Sequence, residues 1–125
     1  MKIVRTLIAL FAFAAASAHA LDIAPYTPAA VSQAQQENRP YVLHFHADWC
    51  PVCRKQTEVL DTLKADPALK LTVFVVNYDK ERPLRRQHGV RMQSTLIAFR
   101  GKAETDRIVG ITDPDIIRDT LASAL

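Results

Sequence analysis

The chain has little of what would mark a disulfide scaffold, a repeat array or a nucleic-acid binder. Its 125 residues hold two cysteines and three glycines, with no internal repeat, linker or low-complexity segment. A chain of this kind folds as one ordinary domain around a single core. Charge of one sign is also scarce, with 16 basic residues against 13 acidic ones. Arg82, Arg85, Arg86 and Arg91 do cluster, but Asp79 and Glu81 are interleaved with them, which describes a solvated face and gives no nucleic-acid surface. No odd cysteine is available to tether a dimer, and a monomer is expected. One run, Leu7 to Ala16, is markedly hydrophobic; it is short for a bilayer span, and polar residues follow from Asp22.

That run has a better reading as part of a leader. Lys2 and Arg5 form a positive start, Leu7 to Ala16 the apolar middle, and Ala18-His19-Ala20 a small-x-small cleavage site. The sequence therefore predicts a signal peptide over residues 1–20, cleavage near Ala20, and a mature domain over 21–125 that is periplasmic or secreted. Removing Lys2 and Arg5 leaves 14 basic residues against 13 acidic, a net charge of +1.

Export would place both cysteines where disulfides persist. Cys50 and Cys53 are separated only by Pro51 and Val52, so a bridge between them closes a very small loop. The entropic gain from such a loop is small, and the pair is better suited to being made and broken than to holding the fold. An apolar run, Val42-Leu43-His44-Phe45-His46, leads into them, and Arg54 to Ala65 reads as a helix. Cys50 then sits where a strand hands over to a helix N-terminus. Unpaired N–H groups and the positive end of the helix dipole favour a thiolate there.

Along the chain, Thr27-Pro28 is a cap followed by a first-turn proline, which predicts a helix from Pro28 to about Asn38. Tyr41–His46 and Leu71–Val76 are nearly continuous apolar runs, as in strands buried on both faces. With the intervening helix they form a right-handed parallel βαβ unit. Asp79 to His88 predicts a short polar helix ended by Gly89, with His88 solvated and uninvolved. Thr95–Phe99 and Thr105–Val109 flank a tight Arg100-Gly101-Lys102 turn, an antiparallel hairpin. Asp113 caps a closing helix that runs to about Ala124. Leu21–Tyr26 offers only a possible extended start. The expected fold class is α/β, with a mixed four-stranded sheet and helices on both faces.

The residues Ala47-Asp48-Trp49-Cys50-Pro51-Val52-Cys53, Val76-Asn77-Tyr78-Asp79, Gly89 to Leu96 and Gly110 resemble the thioredoxin superfamily over roughly residues 40–125. The exported members are the most similar, including the periplasmic C-terminal domain of the DsbD family. The resemblance implies a thioredoxin-like fold and a protein thiol–disulfide oxidoreductase that needs no cofactor. It implies a redox disulfide between Cys50 and Cys53, with Cys50 as nucleophile and Cys53 as resolving thiol. It places Trp49, Ser94 and Thr95 at the substrate surface. Substrates would be disulfides of proteins or small thiols. A reducing enzyme outside the cytosol would draw electrons from a membrane donor, whereas Pro51 directly after Cys50 is similar to glutaredoxins and oxidants.

Two departures stand out. The family's cis-proline before the third core strand is replaced by Ser94, for which a trans Gln93–Ser94 bond is expected because a cis bond without proline costs about 2.5–4 kcal/mol. The family's buried aspartate six residues before the nucleophile is replaced by His44, which could accept a proton from Cys53 as that thiol attacks, or could be a core histidine with one hydrogen bond. Another reading is a Zn or Cu site built from His44, His46, Cys50 and Cys53, since soft thiolates and imidazoles suit those ions. A third is a noncatalytic binding module on the same fold.

Overall fold

The computed structural model describes residues 20–125, so the predicted leader lies, except for Ala20, outside the described residues. The elements run β1 (Leu21–Pro25), α1 (Pro28–Gln36), β2 (Pro40–His46), α2 (Pro51–Leu63), β3 (Leu71–Asn77), α3 (Arg82–His88), β4 (Thr95–Arg100), β5 (Ala103–Val109) and α4 (Pro114–Ala122). Among the described residues no helix is long and apolar enough to cross a membrane.

The sheet has five strands, in the order β1-β3-β2-β4-β5, where four were expected. The additional strand is Leu21–Pro25. It pairs parallel to β3, with Leu21 opposite Leu71 and Ala24 opposite Phe74. Five residues that include Asp22 and Pro25 carry little local strand signal. The ladder to β3 and complete burial of Leu21 make the strand. Its closing proline is tolerated because β1 lies at the sheet edge. As expected, β2 is parallel to β3 and β4 antiparallel to β5; the hairpin joins the sheet through an antiparallel pairing of β4 with β2. In the hairpin, Ala98 faces Asp106 but Phe99 faces Glu104, so Thr105 is an extra, bulged residue.

Side chains of β2 alternate between two cores, as the period of two requires. Tyr41, Leu43 and Phe45 pack with Phe74, Val76, Ile97 and Phe99 under α1 and α3. Val42 turns the other way, joining Leu96, Val59, Leu60, Ile117 and Leu121 beneath α2 and α4. His44 shares that second face and is equally buried.

Local chemistry fixes the helix ends. The Thr27 side chain accepts from Ala30 N–H, Asp113 accepts from Asp115 and Ile116, and each helix then has proline in its first turn. Helix α3 is shorter than predicted. Residues 78–80 form a turn because Asn77 Oδ1 accepts from the N–H groups of Asp79 and Lys80, both at 3.1 Å. Gly89, at φ +64°, ends α3 as foreseen. His88 is not a solvated bystander: it is partly buried and meets Phe99 edge-on, ring centroids 5.4 Å apart.

Candidate active site

The strand β2 runs into a turn at Ala47–Trp49, and α2 begins at once. Cys50 is the N-cap of α2, in extended conformation at φ −90° and ψ 114°, and its Sγ accepts from the Cys53 N–H at 3.2 Å. Pro51 follows at the first helical position, where no helical partner is lost. Both cysteines are free thiols and both are buried. Ala47 and Tyr78 pack against them.

The two sulfurs are unequal. Burial pushes the Cys50 thiol up, but hydrogen bonds from the Cys53 side chain and N–H, the Gln93 side chain and the Val52 N–H outweigh it and leave Cys50 below its ordinary value. Cys53 goes the other way, to about 11, because burial and the Cys50 sulfur oppose its ionisation more than contacts from the Ala47 and Ser94 backbones favour it. At neutral pH Cys50 is therefore the sulfur closer to thiolate, and Cys53 holds its proton.

Segment 92–95 covers the pair from the opposite side. Among the described residues there is no cis peptide bond, so Gln93–Ser94 is trans, as expected. Ser94 instead adopts a left-handed conformation, φ +59°, although it is nearly fully buried. Such a conformation strains an L-residue by about 1–2 kcal/mol. Four neighbouring contacts hold it there: Ser94 N–H donates to Phe45 O (2.9 Å), Ser94 O accepts from Gly110 N–H (2.9 Å) and Gln56 Nε2 (3.0 Å), and Ser94 Oγ donates to Gln93 O.

Trp49 projects outward, 58% exposed, and its Nε1–H donates to Asp79 Oδ2 at 2.8 Å. Thr95 is buried, and its hydroxyl donates to Met92 O at 2.8 Å. Thr95 nevertheless borders a cavity of about 260 Å³ that Met92, Arg91, Arg107 and Val109 also line. A larger cavity, about 470 Å³, lies on the other flank between the ends of β1 and β3 and the His46–Trp49 turn.

Among the described residues His44 makes no hydrogen bond to Cys53. Its ring bonds Gln56 Oε1 through Nε2 at 3.0 Å. Burial first, and the nearby His46 ring second, lower its pKa to about 4, with the Gln56 bond acting in the opposite sense. The imidazole is therefore neutral in the folded protein at neutral pH, while an unfolded one protonates near 6.5. Between those values the unfolded chain binds more protons, so this group's contribution is full above about 6.5 and is lost as pH falls to about 4. The loss is about 3 kcal/mol. Urea midpoints of the protein and of His44→Gln at pH 7, 5.5 and 4 measure it as a pH-dependent difference; a constant difference would show that His44 titrates alike in the folded and unfolded chain.

The metal cluster weighed from sequence is not assembled. His44 is tied to Gln56 and His46 Nε2 to Asp48 Oδ1 at 3.0 Å, and among the described residues no three His, Cys, Asp or Glu side chains converge as a ligand set.

Two residues of the site went unnoticed in the sequence, Gln56 and Gln93. Gln56 left one signal: a polar residue three positions after Cys53 and four before Leu60, on the buried line of α2. Gln93 left none.

The fold agrees with comparison to known proteins. The Thioredoxin family profile matches residues 25–123, and the chain belongs to the thioredoxin family. It is 31% identical over 99 residues to thioredoxin from Alicyclobacillus acidocaldarius, covering 79% of this chain and 94% of that one. It is 38% identical over 74 residues to thioredoxin from Chlamydia caviae, covering 59% and 72%. Among solved structures, Trxlp from Edwardsiella tarda superposes with a TM-score of 0.75 at 42% identity, covering 80% of this chain and 98% of the other. Members named thioredoxin are protein disulfide oxidoreductases, and the present chain is an enzyme of that class.

Proposed function

We propose that this protein is an exported, monomeric thiol–disulfide oxidoreductase that reduces disulfides of proteins and small thiols. The observation that carries the reading is the inequality of the two sulfurs: Cys50 lowered at a helix N-cap, Cys53 raised to about 11 one turn further in. The Cys50 thiolate attacks one sulfur of the substrate disulfide, and the other leaves as a thiolate. Cys53 then attacks Cys50 Sγ, breaking the mixed disulfide and releasing the second substrate sulfur. Two electrons pass to the substrate, its two sulfurs take up two protons, and the protein is left with a Cys50–Cys53 disulfide. A dithiol donor restores it; for an exported protein that donor sits in the membrane.

The groups that lower Cys50 support the reducing direction, because they are neutral hydrogen-bond donors with no Lys, Arg or His cation among them. A strongly stabilised thiolate makes an oxidant, and cations are the strongest stabilisers. Substrate approach fits the exposed apolar side chains of Trp49 on one flank and of Met92 and Val109, beside Thr95, on the other. In this reading the Cys53 proton goes to the departing substrate thiolate. A nitrogen that releases its proton near pH 4 is poorly matched to a thiol that releases its own near 11, which removes His44 from the proton path.

The test is thiol release from insulin by the reduced protein, residues 21–125, with two thiols expected per protein. No release would overturn the assignment. A full-length chain kept in the cytosol, in place of one cut after Ala20 and recovered outside it, would overturn export.

A further inference from the structure

The Gln56 side chain is completely buried, and it makes three hydrogen bonds that use both N–H groups and its oxygen. Its Nε2 donates to Ser94 O at 3.0 Å and to Ile111 O at 2.9 Å. Two carbonyls can only accept, so the amide nitrogen must face them and Oε1 must face His44, at 3.0 Å from Nε2. The same constraint fixes His44 as the tautomer with its proton on Nε2. One amide thus joins the helix that carries both cysteines to β2, to the segment over the sulfurs and to the connection before α4. No other side chain among the described hydrogen bonds links three such segments.

We propose that Gln56 is a positioning residue for the dithiol: it holds the strained Ser94 segment against the sulfurs and thereby sets how readily Cys50 ionises. The route is short. Ser94 stands at φ +59° with its carbonyl bound by Gln56, which lies on the same helix three residues beyond Cys53, and the adjoining Gln93 side chain and Ser94 backbone favour ionisation of Cys50 and Cys53 respectively. Without the Gln56 bond, a buried carbonyl loses a partner and the strain at Ser94 is held by fewer contacts. The segment then relaxes, and the Gln93 donor leaves the Cys50 sulfur. His44 belongs to the device as the neutral donor that orients the amide.

The inference rests on the disulfide-exchange reading, but its test does not need a substrate. The rate of Cys50 alkylation by iodoacetamide is followed from pH 5 to 10 in the protein, in Gln56→Leu and in Thr120→Val. Thr120 is a buried residue whose hydroxyl donates to Asp106 at 2.9 Å, away from the cysteines. Gln56→Leu should move the Cys50 titration upward and slow alkylation at low pH about fivefold, the change one neutral hydrogen bond supports. Thr120→Val should lower the melting temperature and leave the titration in place. Superimposable profiles for the protein and a folded Gln56→Leu would overturn the proposal. Should Gln56→Leu not fold, the unaltered protein still decides: the Gln56 side-chain amide protons should exchange with solvent far more slowly than those of exposed Gln87, and equal exchange overturns the clamp. A Cys50 that titrates like an ordinary thiol in the unaltered protein would instead count against the exchange reading itself.

Discussion

Replacing Cys50 by serine should abolish disulfide exchange, with a loss on the order of a thousandfold or more, while the fold persists. A hydroxyl can still accept the Cys53 N–H bond that caps α2, so the substitution removes the nucleophile without uncapping the helix. Cys53→Ala should behave differently. It leaves the attacking sulfur in place and deletes the one that resolves, so the protein should accumulate as a mixed disulfide with its substrate. Intact mass under non-reducing conditions reads both: no adduct for Cys50→Ser, a one-to-one adduct for Cys53→Ala. Adducts from both variants would mean that the two sulfurs are interchangeable, contrary to their opposite electrostatics.

The second large effect is expected from Ser94→Pro, the residue that the wider superfamily carries there. Proline fixes φ near −65°, and this backbone stands at +59°. It also removes the N–H that Ser94 donates to Phe45 O at 2.9 Å. The substitution should cost about 3 kcal/mol or more and lower the urea midpoint accordingly. Ser94→Gly is the matched control: it keeps the N–H, accepts positive φ freely, and should stay within about 1 kcal/mol of the parent. A proline variant as stable as the parent would show that this segment adopts more than one conformation.

The sequence made the dithiol and its helix legible because both signals are local: a proline after the cap, two cysteines one turn apart, and an apolar approach strand. The hairpin was legible for the same reason. What escaped it depends on partners far along the chain. Leu21–Pro25 becomes a strand through pairing fifty residues downstream, at Leu71–Val75. Gln56 reads as an ordinary polar helical residue until His44, Ser94 and Ile111 surround it. His44 lies against Gln56 of the cysteines' helix, and its role turns on burial and on that contact, which composition and spacing do not reveal. The left-handed backbone at Ser94 was hidden too, since serine gives no hint of positive φ.

The bulge at Thr105 has a mechanical consequence. The extra residue lets Thr105 Oγ1 meet Ser123 Oγ at 2.8 Å, while Asp106 Oδ2 receives Thr120 Oγ1 at 2.9 Å, so the edge of the sheet grips α4 at two successive positions. Helix α4 is entered through the connection whose Ile111 carbonyl rests on Gln56. The rim of the sheet farthest from β1 is thus an abutment for the last helix, which would otherwise meet the hairpin through apolar contact alone.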